Sequence, residues 1–158
     1  PMLRTIPNDT HASLMRRFAW NITDMISVNG RSLLNEKVQQ IKLNGIMTVV
    51  SDFELARNGK LQLERYLFPS VNNPAFCEKY VLRNTGQTDV LVEIPSYSSV
   101  IQTEQTKGVS GSYKLVSSIN GQNTKNLKPG EEISFSAFFA GYKNTEQELT
   151  FAIEQELL

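Results

Sequence analysis

The sequence predicts an all-β fold, an antiparallel β-sandwich with one or two short helices, and three observations carry that expectation. Apolar side chains recur with a period of two along most of the chain, the spacing of half-buried strands. Asn-Gly and Pro-Gly pairs punctuate those runs at short intervals, as tight hairpins require. Helical spacing is confined to two short stretches, so the long helical crossovers of a parallel sheet are missing. A chain of 158 residues is the usual size of one domain, and a single sandwich over 1–158 is expected.

Taken from the N-terminus, a short helix is expected over His11 to Arg17 and a second over Ser32 to Gln39. Strands are expected near 17–22, 38–43, 45–56, 60–68, 76–84, 89–94, 97–103, 111–119, 131–140 and 148–155. In KLQLERYLF one parity carries Leu61, Leu63, Arg65 and Leu67, the other Gln62, Glu64, Tyr66 and Phe68. Pro69 has no amide to give a ladder and holds Phe68 extended, so this strand ends there. Asn72-Asn73-Pro74 turns the chain before Phe76 to Leu82 resumes pairing. DVLVEI puts Val90, Val92 and Ile94 on one face. EISFSAFF does the same with Ile133, Phe135, Ala137 and Phe139, and SYKLVSSI alternates Tyr113, Leu115, Ser117 and Ile119 against Lys114, Val116 and Ser118. Asn29-Gly30, Asn44-Gly45, Asn58-Gly59, Asn84-Thr85-Gly86, Asn120-Gly121 and Pro129-Gly130 mark the turns.

Sixteen basic and sixteen acidic side chains cancel, so no net field draws the chain to nucleic acid or an anionic surface. No apolar run is long enough to span a membrane, and the opening PMLRTIPNDTHAS lacks the apolar core of a signal peptide. Cys77 is the single cysteine, which rules out an internal disulfide and a thiolate zinc site.

Catalytic groups are sparse. His11 is the sole histidine and sits beside Asp9 and Thr10, where a solvated or capping role accounts for it. No GxSxG elbow, HExxH, P-loop or dinucleotide-binding glycine motif is present, so no catalytic residue, metal ligand or cofactor is assigned. Asp52 with Glu54, Glu146 with Glu148 and Glu154 with Glu156 have same-face strand spacing. Each pair, like Glu131-Glu132 after its turn, reads as surface charge. The tripeptides Asn8-Asp9-Thr10 and Asn21-Ile22-Thr23 fit the N-glycosylation pattern, and no function is assigned to them. Aromatic rings can stack on the apolar faces of sugars, which makes Trp20, Tyr66, Tyr97, Tyr113 and Tyr142 the available platforms. Trp20 and Tyr97 are the carbohydrate-binding candidates, against cross-strand packing as the ordinary role of strand aromatics.

The stretches GKLQLERYLFPS, FCEKYVLRNTGQTDVLVEI, TKGVSGSYKL and LKPGEEISF, in that order, resemble the N-terminal β-sandwich of bacterial glycosidases with an (α/α)6, or six-hairpin, catalytic barrel, including rhamnosidase-like members. The resemblance covers about residues 38–140. It implies a non-catalytic accessory domain excised from a longer glycoside hydrolase, with a periplasmic or extracellular parent. The partner is then the helical-barrel domain of that parent, and a glycan is a second possible ligand. In that family the catalytic carboxylates belong to the barrel, so none is carried over. Pro69, Pro74, Gly108, Gly111 and Tyr113 become candidates for contact with the barrel. The competing expectations are an independent carbohydrate-binding module and an immunoglobulin-like protein-interaction module with an exposed edge strand.

Overall fold

The structure, a computed structural model, describes residues 19–107 and 111–145. Within them one four-residue helix, α1 (Ile22–Met25), precedes ten strands. These are β1 (Ser27–Val28), β2 (Lys37–Leu43), β3 (Met47–Glu54), β4 (Lys60–Pro69), β5 (Ala75–Asn84), β6 (Val90–Ile94), β7 (Tyr97–Gln102), β8 (Tyr113–Asn120), β9 (Asn123–Leu127) and β10 (Glu132–Lys143). Every pairing is antiparallel, and the strands form two sheets ordered β2-β3-β4-β5-β10-β8-β7 and β1-β6-β9. The all-β expectation is borne out.

The core lies between the two sheets and follows from the alternation in the sequence. Leu63, Leu82 and Ile133 oppose one another across β4, β5 and β10. Tyr80 stacks on Phe135 in the neighbouring row, with ring centroids 4.8 Å apart. The small sheet answers with Val90, Val92 and Ile94 of β6 and Leu127 of β9, all buried. A second apolar cluster, on the other face of the large sheet, gathers Phe68, Cys77, Val116, Phe138, Ala140 and Tyr142. Cys77 is a fully buried small apolar side chain there.

Two turn pairs behave differently from one another. Pro129-Gly130 makes the expected type II turn: Gly130 has φ +83°, and the Glu131 amide donates to the Lys128 carbonyl at 3.0 Å. At Asn58-Gly59 the left-handed positions are Arg57 (φ 57°) and Asn58 (φ 60°), one residue earlier than the dipeptide suggests.

Several expectations are corrected. Residues 19–22 form no strand, because Asn21 caps α1 by accepting from the Thr23 amide. The helix expected over Ser32 to Gln39 is absent: Leu33 is buried in an irregular segment, and β2 starts at Lys37. β1 and β9 were not expected. The helix expected at His11 to Arg17 and the strand at 148–155 lie outside the described residues.

Candidate functional site

The small sheet is narrower than the large one and covers only part of its inner face. Toward the end of that face where β4 reaches Pro69, the side chains stand open. Ile41 is 56% exposed, Leu43 78%, Met47 38% and Phe76 40%. The register makes them one surface. Ile41 opposes Val49 and Val49 opposes Arg65; Leu43 opposes Met47, Met47 opposes Leu67 and Leu67 opposes Glu78; Pro69 opposes Phe76. Contiguous apolar surface of this kind marks association sites on soluble proteins.

A groove of about 350 Å³ runs along this face, walled by Ile22, Ile41, Met47, Val49 and Leu67 and also lined by Trp20, Arg65 and Glu78. Arg65 bonds Glu36 and the Ser51 hydroxyl (3.1 Å), and that hydroxyl in turn donates to Glu36 at 2.5 Å. The buried Arg65 Nε has no hydrogen-bond partner among the described residues. A buried donor left unmatched carries a desolvation cost. Glu78 accepts a hydrogen bond from the Tyr80 hydroxyl, which itself accepts from the Trp20 indole at 3.1 Å. Burial pushes the Glu78 carboxyl above the ordinary carboxylate range, against the opposing pull of Tyr80, Trp20 and Arg65. Burial first, then the Glu78 charge, pushes the Tyr80 phenol upward as well.

The interdomain candidates converge on the adjoining end of the large sheet. Pro69 and Pro74 are exposed at the β4–β5 corner, and the Gly141 amide donates to the Pro74 carbonyl at 3.0 Å. Gly141 opposes Leu115, and Tyr113 opposes Lys143, which puts Gly111 and Tyr113 at the same end. Gly108 lies outside the described residues.

The carbohydrate-binding candidates are brought together by packing. Trp20 meets Tyr97 edge-on at 5.5 Å and Phe139 at 4.9 Å, and both candidates are half-buried against the main core. Tyr142 is buried in the second cluster. Tyr66 points to the outer face, where its hydroxyl donates to Glu64 at 2.6 Å, a bond that pushes its pKa up to about 12.

Arg65 and Glu78 were not among the residues singled out from the sequence. The signal was present: Arg65 interrupts the apolar parity Leu61, Leu63, Leu67, and Glu78 shares the parity of Tyr80 and Leu82. A polar hollow of about 590 Å³ at the opposite end, lined by Arg31, Arg57, Asp89 and neighbouring loop residues, has no comparably buried ionisable group. Among the described residues no cluster of His, Cys, Asp and Glu is arranged to hold a metal ion, and no helix is long and apolar enough to cross a membrane.

No protein-family model matches this sequence, and no curated protein or solved structure is matched by it.

Proposed function

We propose that the chain is a non-catalytic β-sandwich docking domain, an accessory unit of a glycoside hydrolase that binds its helical-barrel catalytic domain through the open end of the large sheet's inner face. The observation that carries this reading is the continuity of three features. The exposed apolar row of Ile41, Leu43, Met47 and Phe76, the groove holding Arg65 and Glu78, and the Pro69–Pro74 end form one surface. Apolar contact supplies the association energy, while Arg65, Trp20 and Glu78, the last two held from behind by the buried Tyr80 hydroxyl, fix its orientation. Arg and Trp are among the residues that most often anchor protein interfaces. An interdomain contact of roughly 600–1,500 Å² fits such a surface. The barrel as occupant rests on the sequence resemblance.

Glu78 is the carboxyl with the raised pKa among the described residues, which makes it the sharpest test of the non-catalytic reading. The purified chain is expected to hydrolyse none of a panel of aryl glycosides. Hydrolysis by the wild type that disappears in Glu78→Gln would overturn the proposal. Glycan binding lost in Trp20→Ala or Tyr97→Ala variants that remain folded would transfer the function to a carbohydrate-binding module.

A further inference from the structure

The two edges of the seven-stranded sheet are built differently. β2 is guarded against strand addition: it carries Lys37 and Lys42, and its register with β3 slips between Val38 and Gln40. β7, the other edge among the described residues, reads Tyr97-Ser98-Ser99-Val100-Ile101-Gln102, with no charge, no proline and no bulge. Such an edge offers a template for another strand.

Its register says which groups are on offer. The Thr103 amide donates to the Tyr113 carbonyl at 2.9 Å, so the 103–113 pair is hydrogen-bonded. Hydrogen-bonded and open pairs alternate along an antiparallel ladder. Tyr97, Ser99 and Ile101 therefore spend their backbone groups on β8, whereas Ser98, Val100 and Gln102 turn theirs outward. The Val100 side chain is 54% exposed between them.

We propose that β7 is a self-association edge, and that its partner is β7 of a second copy of this chain, running antiparallel about a two-fold axis at Val100. In this register Val100 exchanges both backbone bonds with its own counterpart, and Ser98 does so with Gln102 on either side. All three outward-facing residues are satisfied, Val100 packs on Val100, and no like charges oppose. The contact is isologous and closes at two copies. A six-residue strand pair is small beside the roughly 1,200–2,000 Å² of stable complexes, so the dimer is weak and concentration-dependent.

Analytical ultracentrifugation of the whole chain over a concentration series tests this. Wild type is expected to move from monomer to dimer, and Val100→Lys, which sets two ammonium groups against each other at the axis, to weaken association at least tenfold. Amide hydrogen exchange on the wild type supplies a reading that needs no variant. The Ser98, Val100 and Gln102 amides should slow as concentration rises, while those of Ser99 and Ile101 stay as protected as before. A chain that remains monomeric throughout, a Val100→Lys variant that dimerises like wild type, or protection that grows at β2 instead would overturn the proposal.

Discussion

Glu78 stands on the inward parity of β5, flanked on that face by Phe76 and Tyr80, and its burial has a consequence for pH. Its folded pKa lies above the ordinary 4.5, so as pH rises past that value the unfolded chain has lost a proton that the folded chain still holds. The folded state then binds more protons, and stability falls with rising pH until the raised pKa is passed. Glu78→Gln removes this titration. Thermal melts at pH 4 and pH 7 should show the variant gaining on wild type at the higher pH, and an equal difference at both would contradict the assignment. Asn84 illustrates a residue whose role spacing alone conceals. Its side chain donates to the carbonyls of Thr88 (2.8 Å) and Leu127 (2.9 Å) and accepts from the Gly86 amide (3.0 Å), tying the β5–β6 connection to β9. Asn84-Thr85-Gly86 was legible as a turn, but the need for glycine is a close approach: a Cβ on Gly86 would lie 2.6 Å from the Lys60 nitrogen. Gly86→Ala is therefore expected to cost about 1–3 kcal/mol in chemical denaturation, as overpacked sites do.

Strands with full alternation were legible to within a residue or two. β4 was expected at 60–68 and runs Lys60–Pro69, and β5 was expected at 76–84 and runs Ala75–Asn84. β9 was not legible, because Asn123-Thr124-Lys125-Asn126-Leu127 has one apolar residue and owes its strand geometry to pairing with β6. The first segment misled in the opposite sense: Trp20 and Ile22 read as strand residues, yet the Asn21 side chain caps a turn of helix between two buried side chains. These are cases where tertiary pairing and local capping outweigh propensity. The element-level test contrasts the two faces of the small sheet. Leu127→Ala, at a fully buried position opposite Val90, should cost about 2–5 kcal/mol in denaturant unfolding. Leu91→Ala, on the outward face, should cost under about 1 kcal/mol. Similar costs at both sites would mean that β6 is not packed as described.

At the scale of the molecule, a sandwich of seven strands against three leaves one end of a sheet face, at Ile41, Leu43, Met47 and Phe76, exposed among the described residues. The sequence displayed the apolar residues of that face, Ile41, Leu43, Met47 and Phe76, but alternation cannot distinguish an apolar side chain beneath a second sheet from one awaiting a partner. The convergence of Pro69, Pro74, Gly111 and Tyr113 on one end was likewise invisible until strand order placed β4, β5, β10 and β8 side by side. The central claim is that this open face is where a helical barrel docks. Isothermal titration of the chain against a separately produced (α/α)6 glycosidase barrel that follows such a sandwich in its parent enzyme tests it most directly, with Leu43→Asp as the probe because that side chain is largely in solvent and its loss leaves the core intact. Binding by the wild type, weakened at least tenfold in a Leu43→Asp variant that melts like wild type, is the predicted result. No binding, or binding that the substitution leaves unchanged, would contradict it.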